Sequence, residues 1–296
     1  MIKHLITGGC SFSTLRESAL GWITQLENKL KELNPMVTVE HTGYSSQGQE
    51  LIQKKVQLAI TDALDSNMLP DEILAVVMWS GTYRKAWYID NPGIVDDIAQ
   101  GMKHFQGGMS ALFLDLKNNN KNTAYFQTAS GDSFAYDPMG GWFFTVNGSE
   151  CQQPFVQQHY MLDGSLGGIG KVHTSLENII MLQNFCKLTG IKLINQFYMD
   201  HVMQDVENKK DHQAINYLYK QLDWPNMIVE GMFETVHELL NVERLSAVSL
   251  THEERKALNS NTNYFSNDGF HPGVEGHRYW CNKVLFPFLK NKNILC

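Results

Sequence analysis

The sequence predicts an α/β fold, a three-layer α/β/α sandwich built on a central parallel sheet. Apolar runs of strand length recur at 2–7, 36–40, 73–79 and 191–198. Between them lie stretches whose apolar residues repeat at helical spacing. The third run, Ile73-Leu74-Ala75-Val76-Val77-Met78-Trp79, is apolar throughout, as a strand covered on both faces must be. Parallel neighbours need crossover connections of a dozen or more residues, and the intervening helices supply them.

The first strand is Ile2 to Thr7, ending at Gly8-Gly9. Thr14 with Glu17 three residues on has the pattern of a capping box, the following apolar face is Trp22, Ile23, Leu26, Leu30 and Leu33, and Asn34-Pro35 closes the helix. Met36 to Glu40 is the second strand. Leu51, Ile52, Val56, Ala59, Ile60, Ala63 and Leu64 mark the second helix, which leads into the Ile73–Trp79 strand. Later, Leu176, Ile179, Ile180 and Leu188 lie on a helix that Gly190 can terminate, and Ile191 to Tyr198 is the next strand. A last helix covers Val274 to Leu289.

Two stretches interrupt this alternation within what reads as one domain. Residues 101–170, rich in glycine and asparagine, carry Phe134-Ala135-Tyr136 and Trp142-Phe143-Phe144-Thr145-Val146 around Gly140-Gly141, the pattern of a β-rich insertion with its own hairpins. Residues 205–263 hold helical pieces, Met232 to Leu240 and Thr251 to Leu258, and read as a helical insertion or lid. Substrate selectivity is expected in these two regions.

With 296 residues, 43% apolar and 19% charged, the chain has the composition of a globular protein that buries most of its apolar surface. Its 24 basic and 31 acidic residues give a net charge of −7 without a dense Lys/Arg block, so a nucleic acid is not an expected partner. No apolar run reaches the roughly 18 to 20 residues of a membrane span, and the first residues lack the apolar core of a signal peptide. No membrane partner is therefore expected, and the expected location is the cytoplasm. The five cysteines, Cys10, Cys151, Cys186, Cys281 and Cys296, are odd in number and never form a CxxC pair, which fits reduced thiols rather than a zinc ribbon or a disulfide framework.

Chemistry concentrates at two places. Gly8-Gly9-Cys10-Ser11-Phe12-Ser13 puts a serine at the carboxyl end of the first strand, where ligands of parallel sheets bind. Near the other end, Asn267-Asp268-Gly269-Phe270-His271-Pro272-Gly273 holds an acid and a histidine on one tight loop. A serine hydroxyl needs a base to take its proton, and the imidazole needs a carboxylate to fix its tautomer and stabilise its charge. Ser11, His271 and Asp268 have those chemistries.

Together the two motifs resemble the SGNH/GDSL hydrolase superfamily, with Gly9-Cys10-Ser11-Phe12 in place of the GDSL block and Asp268 to Pro272 as its D-x-x-H-P block. Gly276-His277 resembles the G-H that commonly follows on the last helix. The resemblance implies a flavodoxin-like α/β/α sandwich and a serine esterase or acylhydrolase acting on a small-molecule or carbohydrate ester, an O-acetyl group being one such substrate. It implies Ser11 as nucleophile, His271 as base and Asp268 as its orienting acid, with neither metal nor cofactor. The family's second oxyanion donor, a loop glycine, corresponds to Ser46 or Gly48. The third block reads Trp79-Ser80-Gly81-Thr82-Tyr83-Arg84, with Tyr83 where the family has asparagine, so Gly81 and Arg84 are the oxyanion or substrate-binding candidates there. Third blocks of this kind with an arginine also occur in SGNH-like proteins of phages. The missing asparagine motivates a rival reading, a binding or virion structural protein that keeps the fold with weak or no catalysis. A second rival is a metallohydrolase assembled from Asp268, His271 and His201.

Overall fold

In the structure, a computed structural model, the four apolar runs lie side by side in one parallel sheet. It describes residues 1–13, 21–43, 47–82, 84–89, 125–127, 133–137, 141–147, 168–238, 265 and 271–295. β1 (His4–Gly9) leads through a 3-10 turn (Ser11–Ser13) to α1 (Trp22–Leu33), β2 (Thr38–His41), α2 (Gln49–Asp65) and β3 (Ile73–Trp79). Then come β4 (Arg84–Ile89), β5 (Tyr125–Gln127), β6 (Ser133–Asp137) and β7 (Gly141–Asn147). α3 (Ile169–Thr189), β8 (Lys192–Phe197), α4 (His201–Glu207), α5 (Gln213–Tyr219), β9 (Met227–Ile228) and α6 (Met232–Glu238) follow. The chain closes with α7 (Val274–Trp280), a π-helical turn (Cys281–Leu285) and α8 (Phe286–Asn291).

The main sheet has the order β2-β1-β3-β8-β9, every neighbouring pair parallel. Ile6 stands between Glu40 and Ala75, and Val77 beside Asn195. β1 and β3 are buried along their whole length, as strands covered by helices on both faces require. Gly8 allows one of those helices to close on the sheet: a Cβ there would lie 2.3 Å from Cγ2 of Val56 on α2. α3 packs beside α2, burying Val172, Leu176, Ile179, Leu182 and Cys186. Each large aliphatic side chain so buried contributes roughly 1.5–3 kcal/mol. α1, α6, α7 and the π turn pack together, with the Trp22 and Trp280 rings 6.3 Å apart, edge to face.

Several expectations are met at the residue level. Gly190 ends α3 in the left-handed conformation at φ 79°, its N–H donating to the Cys186 carbonyl. β6 and β7 pair antiparallel, with Asp137 opposite Gly141, as part of a second sheet of order β4-β7-β6-β5. That sheet takes its edge strand from 84–89, directly after β3. Other expectations shift. α1 starts at Trp22 with extended Gly21 as its N-cap, and Thr14 and Glu17 lie outside the described residues. Within 205–263, Met227-Ile228 is not helical but pairs with Asn195-Gln196 as the fifth strand of the main sheet, and the piece Thr251 to Leu258 lies outside the described residues. The last helix is not uniform. Pro287 has no N–H to offer the preceding turn, and the ladder widens just before it, with Phe286 N–H reaching back five residues to the Cys281 carbonyl. Among the described residues, no helix is long and apolar enough to cross a membrane.

Candidate functional site

From β1 the sheet extends to β2 on one side and to β3 on the other, which makes the crevice beyond the carboxyl ends of β1 and β3 the ligand-binding position of such a fold. The turn holding Ser11 sits at that crevice. It closes through the backbone, Ser13 N–H donating to the Cys10 carbonyl at 2.8 Å. Gly9 makes the turn sterically feasible. Its φ is +153°, and a Cβ would fall 2.3 Å from Ser13 Oγ and 2.8 Å from the Met78 carbonyl oxygen. Gly9→Ala is therefore expected to lower unfolding free energy by about 3 kcal/mol, since backbone as well as side chain must give way. Urea denaturation checks this; unchanged stability would mean the turn relocates freely.

Two loops brace the turn. The loop after β2 crosses the end of β1 at Gly43, where a Cβ would meet the Gly9 carbonyl oxygen at 2.9 Å and the Gly9 nitrogen at 3.1 Å. Thr42 anchors it, its N–H donating to the Thr7 carbonyl at 2.8 Å. The loop after β3 is clamped to the first by reciprocal bonds: Ser80 Oγ donates to the Gln47 carbonyl at 2.8 Å, and Gln49 Nε2 donates to the Ser80 carbonyl at 2.5 Å. Thr82 Oγ1 donates to Asp205 Oδ2 at 2.9 Å and ties the same loop to α4. Gly48 caps α2 in the extended conformation beside this clamp, and the Gly81 carbonyl accepts from Arg84 N–H at 3.0 Å.

The chain neighbours of Ser11 carry the contacts that define its surroundings. Cys10 is fully buried, and burial raises its thiol pKa against the opposing pull of the Arg84 guanidinium, which is within hydrogen-bonding reach. Arg84 is itself buried, its guanidinium carbon 5.7 Å from the centre of the Tyr198 ring, at the distance of a cation–π contact. On the other side, the buried Phe12 ring lies 4.8 Å from Tyr198, 6.3 Å from Phe233 and 4.9 Å from His271. His271 is thereby brought against the turn from about 260 residues away in the chain. A β-bridge between Phe265 and Pro272 pins its loop, and Phe265 stacks near Phe233 at 6.1 Å.

Two further histidines are kept neutral. His277, on α7, is buried, and burial followed by the charge of His271 lowers its pKa to about 4. His41 closes β2 with Nδ1 2.9 Å from Thr7 Oγ1 and Nε2 shut off from solvent. Burial, with Lys55 nearby, lowers its pKa to about 4 although hydrogen bonds with the Thr7 and Gly43 backbones oppose the shift.

Of the residues singled out from sequence, Ser11, Gly48, Gly81 and His271 lie in loops or turns at this end of the sheet, and Arg84 is the first residue of β4. Ser46 and Asp268 lie outside the described residues. Arg84 is buried over Tyr198 and within reach of Cys10 in the turn. Sequence reasoning passed over Phe12, Gly43, the Gln47–Ser80–Gln49 clamp and Asp200. The last, just past β8, accepts from Gly231 N–H at 2.5 Å while its own N–H donates to Glu234 Oε2 at 2.9 Å on α6. Among the described residues, no group of three His, Cys, Asp or Glu side chains is placed to hold a metal.

No family model matches the chain, and neither does any curated protein. Solved structures similar to it include TesA, at 11% identity over 97% of this chain and 98% of that one, with a TM-score of 0.43. A member of the lipolytic protein G-D-S-L family from Veillonella parvula DSM 2008 matches at 9% identity over 95% and 94%, with a TM-score of 0.38. The lipase Lip_vut3 from a goat rumen metagenome matches at 12% identity over 97% of both chains, also with a TM-score of 0.38. These are likenesses of backbone course, set beside the sheet order and crevice described above.

Proposed function

We propose that this protein is a serine hydrolase that cleaves esters through an acyl-enzyme. Ser11 is the nucleophile, His271 takes its proton and returns it to the leaving alcohol, and Asp268 holds the imidazole in the required tautomer. Attack by Ser11 Oγ on the ester carbonyl forms one C–O bond, and collapse of the tetrahedral intermediate expels the alcohol. Water, deprotonated by the same imidazole, then releases the acid. The oxyanion takes the Ser11 N–H and the N–H of Ser46 or Gly48, with Gly81 on the neighbouring loop wall. Arg84, a fixed positive charge beneath the turn, supplies at longer range what the family's absent asparagine would donate directly. An ester with a small acyl group is the substrate class, and a carbohydrate O-acetyl ester is the natural form to assay first.

What supports this reading above all is the contact between the Phe12 and His271 rings, which sets a base beside the turn that carries Ser11. A fluorophosphonate probe tests it. Stoichiometric labelling on Ser11, located by peptide mass spectrometry, is the expected result. No labelling under conditions that fully label a control esterase would overturn it and favour the reading as a binding protein.

A further inference from the structure

We propose that Phe12 is a positioning residue: its ring fixes the orientation of the His271 imidazole relative to the Ser11 turn. The catalytic consequence rests on the esterase reading above, whereas the structural consequence rests on ring geometry alone.

Phe12 belongs to the same three-residue turn as Ser11, and that turn has little slack. Ser13 N–H closes it on Cys10, and Ser13 Oγ fills the space where Gly9 would carry a side chain. A shift of the Phe12 backbone is therefore a shift of Ser11. The ring in turn is held from three directions: edge-on against Tyr198 at 61° just past β8, edge-on against Phe233 of α6 at 68°, and tilted at 48° to the His271 ring. Such aromatic pairs contribute roughly 0.5–1.5 kcal/mol each beyond the area they bury.

His271 has the opposite character. It is half-buried, on a loop whose nearest described regular contact is the single bridge at Pro272. An imidazole makes its hydrogen bonds in the ring plane, so a neighbour packed against the ring fixes tilt without competing for those in-plane bonds. A base must hold its geometry to within roughly 0.5 Å and 10–20°. Phe12 is the side chain that touches both requirements, being rigid with Ser11 and in contact with the base.

The experiment compares wild type, Phe12→Leu and the core control Ile60→Ala, which empties a fully buried site on α2 away from these rings. Phe12→Leu keeps apolar bulk and loses the flat wall. The expected result is a fall in kcat of about 100-fold on a short-chain aryl ester, with KM within about twofold, while Ile60→Ala loses stability without that kcat loss. Side-chain NMR of His271 is the second readout, with its ring resonances expected to broaden or split in the leucine variant. A folded Phe12→Leu protein with wild-type kcat, or with His271 signals as sharp as wild type, overturns the proposal. If the leucine variant unfolds, Phe12→Met takes its place. If wild type hydrolyses no ester, it is the esterase reading that fails, and the NMR comparison alone decides whether Phe12 orients His271.

Discussion

A Ser11→Ala variant is expected to hydrolyse a short-chain aryl ester at least about 10,000-fold more slowly than wild type while unfolding at the same temperature. The kinetic loss follows from the proposed mechanism, in which the Ser11 hydroxyl is the bond-forming atom of the acyl-enzyme. The unchanged stability follows from how the turn is built: it closes between backbone atoms of Cys10 and Ser13, and Gly9 and Gly43 set the close approach of the end of β1 and the loop after β2 beneath it. His271→Ala should cost nearly as much, and the double variant little more than either single one, since groups that act on one proton fail together. Steady-state kinetics on the three variants, with thermal unfolding of each, checks all of this. Undiminished turnover by Ser11→Ala would remove Ser11 from the mechanism.

The second large effect is on stability in acid. His41 and His277 have folded-state pKa values of about 4, against about 6.5 in an unfolded chain. The unfolded state thus binds more protons between pH 6.5 and 4. The associated stability is fully present above pH 6.5 and is lost as pH falls toward 4. Each shift corresponds to about 3 kcal/mol, and the two together to a large part of the roughly 5–15 kcal/mol that holds a domain folded. Unfolding free energies from urea titrations at pH 7.5 and pH 4.0 should differ by several kcal/mol, and His277→Gln should remove about half of that difference. Equal stability at the two pH values would show that neither imidazole is buried in its neutral form.

The parts of the fold that were legible in the sequence are those fixed by local chemistry. Ile73 to Trp79 announces itself because an unbroken apolar run of strand length marks a strand covered on both faces, and Gly190 because a helix leaving through the left-handed region favours glycine. Met227-Ile228 was illegible: two residues have no period, and their pairing partners, Asn195 and Gln196, are polar. The π turn before Pro287 was hidden too, because apolar spacing does not distinguish a widened ladder from a regular one. In the candidate site, Ser11 and His271 stand out because glycine and proline mark their loops. Phe12 does not, since an aromatic next to a turn looks like any core residue until Tyr198, Phe233 and His271 are seen around it. Nor does the sequence show that Arg84 lies over Tyr198, since a contact between residues so distant in the chain has no local signature.

The junction between the two sheets constrains any attempt to trim this protein. Arg84 is at once a neighbour of Cys10 in the interior and the first residue of β4, opposite Asn147 at the far end of β7. Excising the antiparallel sheet to obtain a minimal scaffold would strip Arg84 of its ladder partner even if the cut began one residue later. The antiparallel sheet and the Ser11 turn thus share the Arg84 side chain as a common contact, and a shortened version that keeps the parallel sheet intact would still need a new support for that guanidinium.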